Sequence, residues 1–252
     1  MSVIIKTVTT DKELKTFVRF ANRLYKGNKY YVPSMPLDDF NTLSKDKNAA
    51  FEFCEAELYL AYKDDKVVGR VAAIINHKAN AAWNVKQVRY GWIDFIDDIE
   101  VSSALLEAVV AFGKAHGMKQ VVGPLGFTDF DPEGMLVEGY DRISTMALIY
   151  NHPYYPEHMK KLGYEKETGW VEYRISIPEK MPEKHIKFAE IVKERYNLKV
   201  RKVTKKQIKK GGYGQKVFEL ANKTYCDLYG FSLLSPDQID QFVDMYLGMA
   251  DL

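Results

Sequence analysis

Apolar side chains change their spacing near the tenth residue of this chain. In residues 2–9 they alternate with polar ones and β-branched residues are common, which predicts a strand. After Thr10 and Asp11, either of which can cap a helix, apolar residues recur every three or four positions, which predicts a helix. The apolar positions of this helix are Leu14, Phe17, Val18, Ala21 and Leu24. A second short helix is expected within Leu37–Phe51.

The middle of the chain predicts a β-hairpin, a further strand and one long helix. Strands are expected over Glu57–Lys63 and Lys66–Asn76, which an acidic two-residue turn separates. Arg89–Ile96 is rich in aromatic residues and predicts another strand. Glu100–His116 carries its apolar residues on one face at helical spacing, which predicts the clearest helix of the chain.

The next part of the chain predicts shorter elements around a long loop. Lys119–Val122 predicts a short buried strand, and Gly123–Arg142 predicts a loop with five acidic residues. Tyr154–Leu162 predicts a short helix, and Glu165–Glu167 and Trp170–Ile177 predict two closing strands. This order indicates a mixed α/β sheet flanked by helices, followed by a mostly helical C-terminal segment.

Three short segments recur in the same order about 195 to 200 residues later, which is the length of a domain. The pairs are Ile5–Thr9 with Val200–Thr204, Phe20–Tyr25 with Leu220–Tyr225 and, more loosely, Pro36–Phe40 with Pro236–Phe242. We therefore predict one domain over residues 1–177, a basic linker over 178–196 and the beginning of a second domain over 197–252. Chance similarity between short segments is the alternative. Such a beginning would expose helix faces that its own sheet covers. We expect the chain to continue past Leu252 or the tail to pack on the first domain.

Composition indicates an ordinary globular protein, but the charge is unevenly distributed. The 252 residues are 46% hydrophobic and 28% charged, with a net charge of +2. Residues 178–216 hold thirteen Lys and Arg against four Glu, so the rest of the chain carries +2 − 9 = −7. A basic stripe can bind phosphates or nucleic acid, although a solvated face is the usual interpretation. Because no aromatic platform accompanies the stripe, a nucleic-acid partner is not expected.

Other chemistry is absent from the sequence pattern. No apolar run approaches the ~20 residues of a membrane span, so we expect no membrane partner. The N-terminus has no signal-peptide pattern, and the two cysteines have no CxxC spacing, so a cytoplasmic location is expected. The five histidines are scattered, so no metal is expected.

Two stretches resemble the GNAT superfamily of acetyl-CoA-dependent N-acetyltransferases. The first is the unit of strand Tyr90–Ile96, helix Glu100–His116 and strand Gln120–Val122. The second is Tyr154–Glu165, in which the helix ends in Leu-Gly-Tyr before the chain extends. The element order over residues 2–177 agrees, so the resemblance implies a GNAT-like central sheet that binds acetyl-CoA as co-substrate.

The resemblance implies a cofactor cleft where the strand ending near Ile96 splays from the strand near Val122. The pantetheine would pair with the backbone around Phe95–Asp97, and the pyrophosphate would lie at the start of the following helix. The implied cofactor residues are Phe95, Ile96, Asp97, Val101, Ser102 and Ser103. The loop departs from the family pattern, because Asp97–Ala104 contains no Gly, Arg or Gln. The alternative is a purely structural helix, whose first N–H groups are capped by Asp97 and Glu100 rather than by a pyrophosphate.

The catalytic position also departs from the family. Met159 stands where many members place a Tyr that protonates the departing thiolate. Tyr154 and Tyr155, one turn upstream, are the candidate replacements, with aromatic packing as the alternative. The candidate acceptor-binding residues are Asn151, His152, Asp129 and Glu133, for which structural or solvated roles are the alternative.

The function that the resemblance implies is acyl-CoA-dependent transfer of an acyl group to an amine. The implied enzyme is an acyl-CoA-dependent N-acetyltransferase with a degenerate cofactor loop, and its acceptor is a small-molecule or protein amine. The alternative is a non-catalytic GNAT-like protein that binds a ligand or a partner through the same cleft. The sequence does not fix the acceptor or the oligomeric state.

Overall fold

The structure, a computed structural model, describes residues 2–145 and 148–249. The ends of the first and last predicted domains, residues 1 and 250–252, lie outside these residues. The helices are α1 Asp11–Leu24, α2 Pro36–Leu43, α3 His77–Ala82, α4 Ile99–Ala115, α5 Tyr154–Lys161, α6 Glu183–Arg195, α7 Lys205–Lys210, α8 Tyr213–Thr224 and α9 Pro236–Met249. A 3-10 helix covers Ala49–Glu52, so the single helix predicted over Leu37–Phe51 is two shorter pieces.

A five-stranded mixed sheet forms the centre of the first domain. Its strands are β1 Ile4–Thr7, β2 Cys54–Lys63, β3 Lys66–Asn76, β4 Gln87–Phe95 and β5 Gln120–Val122. They lie in chain order; the pairs from β1 to β4 are antiparallel, whereas β4 and β5 are parallel. The predicted fold class, a mixed α/β sheet flanked by helices with a mostly helical C-terminal segment, is therefore confirmed.

Helices cover both faces of the sheet, and β3 shows why. Val71, Ala73 and Ile75 face α4, whereas Ala72 and Ile74 face α1, because successive side chains of a strand point to opposite faces. All five are completely buried. A strand covered on both faces reads as one apolar run, and this run appears in the sequence between residues 71 and 75.

The chain beyond β5 continues beside β4 as a loop. The Leu125 N–H donates to the Tyr90 carbonyl oxygen at 2.9 Å. Gly91 permits this close approach, because a Cβ atom there would lie 2.5 Å from the Leu125 carbonyl oxygen. Further along the loop, Phe130 contacts the C-terminal helices, so the acidic loop joins the sheet to the C-terminal segment.

The two predicted closing strands, Glu165–Glu167 and Trp170–Ile177, are wrong: within the described chain, residues 164–178 contain neither strand nor helix. Val171 and Ile177 are 77% and 85% exposed. Alternating apolar residues favour a strand, but a strand forms only where another supplies its hydrogen bonds. The outer edge of β5, at three residues, is too short to pair with the eight residues of Trp170–Ile177.

The C-terminal helices form a small cluster that packs on the first domain. Phe218, Leu234, Ile239 and Val243 are its buried members. The Trp83 indole N–H donates to the Phe231 carbonyl oxygen at 2.8 Å, which joins the cluster to α3 and β4. The strand expected at the beginning of the predicted second domain is wrong, because Val200–Val203 pairs with no other strand among the described residues. Among the described helices, none is long and apolar enough to cross a membrane.

Candidate active site

The candidate site lies at the end of β4, where this strand is irregular. Trp92 has φ of 45°, in the left-handed region that bulky residues rarely adopt. The register of β4 against β3 shifts between the positions opposite Ala72 and Arg70. A bulge of this kind re-aims the residues beside it. Asp94 and Phe95 follow the bulge, and both are buried where α5 meets the strand.

Two adjacent tyrosines of α5 bind the backbone of Phe95. The Tyr154 hydroxyl donates to the Phe95 carbonyl oxygen at 2.6 Å, and the Tyr155 hydroxyl accepts from the Phe95 N–H at 3.0 Å. The Tyr155 ring also stacks on the Phe95 ring, with 4.1 Å between ring centroids. The structure thus brings the two predicted catalytic tyrosines directly onto a predicted cofactor residue. Both backbone groups of Phe95, which begins the segment expected to pair with a pantetheine, are hydrogen-bonded within the protein.

A buried hydrogen-bond chain continues from Tyr155 into the core. Its hydroxyl lies 2.8 Å from the Tyr25 hydroxyl, which donates to Asp94 Oδ1 at 3.1 Å. Asp94 Oδ2 accepts from Arg70 Nε and Nη2 at 2.8 and 2.7 Å. Arg70 also donates to the Phe17 carbonyl oxygen of α1 at 2.9 Å. The chain therefore ties α1, β3, β4 and α5 together beneath the candidate site.

Tyr25, Arg70 and Asp94 escaped the sequence interpretation, although the sequence carries a signal for two of them. Arg70 interrupts the apolar run of β3, and Asp94 interrupts the aromatic run of β4. A charged residue in a fully buried strand needs a partner, and one of opposite sign in the next strand is the natural candidate. The two face each other in the sheet register. Tyr25 carries no comparable signal, because a tyrosine at the end of an amphipathic helix is common.

Burial dominates the electrostatics of this group. It raises the pKa of Tyr155 and Tyr25 well above 10, and the negative Asp94 adds to both shifts. Burial also raises the pKa of Tyr154. The pKa of His152 is lowered by burial, which Asp94 partly opposes. At neutral pH the three tyrosines therefore keep their protons, and His152 is an uncharged imidazole.

The start of α4 is capped by the chain itself. Asp98 Oδ1 accepts from the Glu100 N–H at 3.0 Å, and the Val101 N–H donates to the Asp98 carbonyl oxygen at 3.0 Å. The capping pair predicted from Asp97 and Glu100 is therefore wrong, because the neighbouring Asp98 takes the cap position. Lys63 lies 2.7 Å from Asp98 and 3.3 Å from Glu100. These carboxylates and the bonded N–H groups leave the helix end poorly suited to a pyrophosphate.

Asp97 instead belongs to a contact between α4 and α5. His158 Nε2 lies 3.0 Å from Asp97 Oδ1, and His158 Nδ1 lies 2.9 Å from Ser102 Oγ. Ser102 is completely buried and its hydroxyl also lies 3.1 Å from the Ile99 carbonyl oxygen. A serine without solvent access has no room for a substrate, so this Ser-His-Asp group fixes α5 to α4.

Within the described residues, the other three predicted cofactor residues make no hydrogen bond with either tyrosine. The Ile96 N–H donates to the Val68 carbonyl oxygen at 3.0 Å, so it completes the sheet. Val101 lies in the core between α4 and the sheet. Ser103 Oγ donates to Glu107 at 2.7 Å on the exposed side of α4.

The predicted acceptor residues divide into two groups, and Asn151 and His152 form the first. Asn151 is buried, and its side chain bonds both the N–H and the carbonyl oxygen of Leu136, so it anchors the acidic loop to α5. The His152 ring stacks on the Tyr154 ring at 5.4 Å and lies 4.9 Å from the Tyr25 ring. Both His152 and Tyr154 are partly exposed, so they are the members of the site that a ligand can reach.

Asp129 and Glu133 belong instead to a second charged group around Arg89. Arg89 donates to the carbonyl oxygen of Gly126 at 3.1 Å. Its positive charge lowers the pKa of Asp129 and Glu133, against the larger effect of burial. Burial raises the pKa of Asp129 and Asp131 to about 6 and that of Glu133 to about 7. Within the described residues, no cluster of three or more His, Cys, Asp or Glu side chains is placed to hold a metal ion.

Comparison with known proteins gives two curated relatives, and no family model matches the chain. Protein YghO of Escherichia coli is 28% identical over 163 residues, which cover 65% of this chain and 42% of the relative. A bacterial ceramide synthase of Caulobacter vibrioides is 24% identical over 230 residues, which cover 89% of this chain and 58% of the relative. The chain thus spans about half the length of the curated relatives it matches.

Three of the solved structures with a similar arrangement of elements are named as acetyltransferases or contain a CoA analogue. The similarity to a putative acetyl transferase from Pyrococcus furiosus extends over 69% of this chain and 100% of that protein, with 14% identity and a TM-score of 0.39. A predicted acetyltransferase with acetyl-CoA from Clostridium acetobutylicum is 10% identical and covers 68% of this chain and 96% of its own, at 0.41. The protein AAC(6')-Iy, in complex with a CoA bisubstrate analogue, is 14% identical and covers 70% and 100%, at 0.43.

Proposed function

We propose that this chain carries the acyl-transfer site of an acyl-CoA-dependent N-acyltransferase whose acceptor is a long-chain amine. The observation that carries the proposal is the pair of Tyr154 and His152, stacked and partly exposed at the end of β4 above the buried Tyr155–Tyr25–Asp94 chain. The acceptor class comes from the relative named a ceramide synthase, because a ceramide is an amide of a long-chain amino alcohol.

The pair supplies the two proton transfers that the reaction needs. The amine nitrogen attacks the thioester carbonyl carbon, the C–N bond forms and the C–S bond breaks. Uncharged His152, whose pKa is below its usual value, takes the proton that the amine loses. Tyr154, a neutral phenol, gives the departing thiolate the proton that it otherwise donates to the Phe95 carbonyl oxygen. Transfer of a proton from His152 to Tyr154 through water restores both groups.

The buried chain beneath the pair has a positioning role. The Tyr155 hydroxyl has two partners, the Phe95 N–H and the Tyr25 hydroxyl, and these bonds fix the position of α5 against β4. The charged Arg70–Asp94 pair anchors Tyr25 in turn. A site held by fully hydrogen-bonded buried groups keeps its reacting atoms within the narrow geometry that catalysis requires.

The non-catalytic alternative also has an observation in its favour. Both backbone groups of Phe95 are bonded to tyrosines, and the first turn of α4 is capped and acidic. An acyl-CoA would displace the Phe95 hydrogen bonds, and nothing at the start of α4 holds its pyrophosphate. A protein that only binds a ligand or a partner through this surface needs neither change.

Turnover measured on the purified chain tests the proposal. With acetyl-CoA or a long-chain acyl-CoA and sphinganine as the acceptor, we expect release of free CoA and formation of the amide, read by thiol titration and mass spectrometry. Tyr154→Phe and His152→Asn should each lower kcat about 10²- to 10⁴-fold, which is the usual contribution of a general acid or base. The matched control is Tyr225→Phe, because Tyr225 is 47% exposed and lies at the end of α8.

Each result of this assay decides between the two functions. Calorimetric binding of the acyl-CoA without turnover on any amine supports the non-catalytic alternative. Turnover that both Tyr154→Phe and His152→Asn leave intact, with unchanged thermal midpoints, contradicts the assigned roles.

A further inference from the structure

The chain between residues 165 and 207 leaves the packed part of the molecule. Helix α6 has no buried residue, and residues 171–191 are exposed without exception. Large apolar side chains of this segment are exposed in unusual number. They are Trp170, Val171, Tyr173, Ile175, Ile177, Met181, Ile186, Phe188, Ile191, Tyr196, Leu198 and Val200. We call residues 170–216 the basic arm, since its second half is strongly cationic.

The charge of the arm is concentrated in one run. Residues 195–216 contain nine Lys and Arg and neither Asp nor Glu. Among the described residues, Lys209 pairs with Asp244, and the other eight have no carboxylate within 4 Å. Because an acid pairs with one of these nine cations among the described residues, most of the positive charge is not neutralised, and the run presents a concentrated positive field to whatever approaches.

Apolar and cationic side chains are interleaved along the same stretch. Tyr196, Leu198 and Val200 alternate with Lys199 and Arg201, and all five are exposed. Water alone solvates the cations well but is a poor environment for the apolar side chains. A surface that satisfies both must offer negative charge at its boundary and hydrocarbon just beneath it.

We propose that the basic arm docks the protein on an anionic lipid surface. Phospholipid head groups supply the negative charge, and the upper acyl chains accept the apolar side chains, as for other peripheral segments. The expectation of no membrane partner rested on the missing transmembrane span, and a span is not needed for a protein that lies on the surface. The inference stands on the arm alone and is independent of the proposed reaction.

Charge and apolarity together select this occupant over the others. A nucleic acid matches the cations but offers no hydrocarbon layer for Ile175, Phe188 or Val200. Two arms of two copies repel each other, because both bring the same cations, and the acidic remainder of a second copy offers negative charge without a hydrocarbon layer. The anionic bilayer is the surface that complements both properties.

Co-sedimentation with lipid vesicles tests the proposal on the intact chain. We expect the protein to bind vesicles that contain phosphatidylglycerol at least tenfold more tightly than vesicles of phosphatidylcholine alone. High salt should abolish most of the binding, because it screens the arm from the head groups. Equal binding to both vesicles, or binding to neither, would overturn the proposal.

Two sets of variants separate charge from apolar contact. Substituting Gln for Lys199, Arg201 and Lys202 together should weaken binding at least tenfold, since each cation near an anionic surface contributes roughly fivefold. The matched control replaces Lys12, Lys15 and Arg19, three exposed cations of α1, with Gln, and should change binding less than twofold. Leu198→Ser with Val200→Ser should weaken binding severalfold at constant charge, against Ile4→Ser as its control.

The rival occupants give different results in the same preparation. Tighter binding to random duplex DNA than to the anionic vesicles would overturn the proposal in favour of nucleic acid. A dimer in sedimentation velocity, lost in the Leu198→Ser, Val200→Ser variant and unaffected by vesicles, would overturn it in favour of a second copy.

Discussion

Helix α1 in the first domain and helix α8 near the C-terminus share their local contacts but differ in burial. The Asn22 side chain donates to the Ser34 carbonyl oxygen at 3.0 Å, and the Asn222 side chain donates to the Leu234 carbonyl oxygen at 3.1 Å. Donor and acceptor are twelve residues apart in both cases, and the two sites are 200 residues apart. The helices that follow, α2 and α9, both begin at a proline, 36 and 236.

Burial distinguishes the two regions. Phe17 and Phe20 of α1 are buried, whereas their counterparts at the same offset, Val217 and Leu220 of α8, are 63% and 59% exposed. The same holds for Tyr25, which is buried in the hydrogen-bond chain, and Tyr225, which is half exposed. Local sequence thus determines the helix and its turn, and a neighbouring sheet determines what is buried. The second domain over 197–252 stays a prediction, which these corresponding contacts support.

Truncation of one large side chain in each helix tests this difference most strongly. Phe17→Ala should lower the free energy of unfolding by about 3–5 kcal/mol, because it opens a cavity against the sheet. Val217→Ala, at the corresponding position of α8, should change it by less than about 0.5 kcal/mol. Urea unfolding followed by far-UV circular dichroism measures both. A loss above about 2 kcal/mol in Val217→Ala would show that α8 is covered in solution.

Ion pairs give the second test of the same comparison. Asp94→Asn leaves the buried Arg70 without its counter-charge and should cost about 3–5 kcal/mol. Asp244→Asn removes the partner of Lys209, but both of these side chains are more than half exposed, so the loss should stay below about 1 kcal/mol. Thermal unfolding at low and high salt measures the two effects. Only the Asp244 effect should be erased by salt, and equal losses would contradict the assigned burial.

The difference between the regions also shows where sequence reasoning succeeds. Periodicity predicted α1, α4, α5 and the hairpin, because each of them buries its apolar face within the chain. The same reasoning failed at Trp170–Ile177, where alternation is equally clear but no strand lies alongside. Alternating apolar residues show which side chains a strand would bury. They do not show whether a neighbouring strand is available to pair with it. Strand prediction therefore fails where the partner is remote or short.

For the candidate site, the sequence predicted which residues lie there better than it predicted which residues they contact. The resemblance placed Tyr154, Tyr155 and Phe95 close together, and they are in direct contact. Asp129, expected from the acidic loop as an acceptor-binding residue, lies near Arg89 instead. Asp98 rather than Asp97 caps α4, because adjacent acids compete for one cap and spacing alone does not choose between them. Contacts between elements distant in sequence, such as Tyr25 with Tyr155, depend on packing that no local pattern encodes.

The smallest expected effect concerns the asparagine side chains whose hydrogen bonds α1 and α8 have in common. Asn22→Ala and Asn222→Ala each remove two side-chain hydrogen bonds, and both asparagines are partly buried. The two side-chain nitrogens donate to corresponding carbonyl oxygens, those of Ser34 and Leu234, whereas the oxygen of Asn22 accepts from the Tyr31 hydroxyl and that of Asn222 from the Leu234 N–H. Each substitution should cost about 1–3 kcal/mol, since a hydrogen bond contributes about 0.5–1.5 kcal/mol net. Native-state hydrogen exchange of the amides after each helix measures the two losses separately, so global unfolding need not be two-state. Asn41→Ala serves as the control for α2, because its side-chain oxygen accepts from Lys47 on the surface. A loss at one asparagine without a loss at the other would contradict the correspondence, because both side chains donate to the residue twelve positions further along the chain.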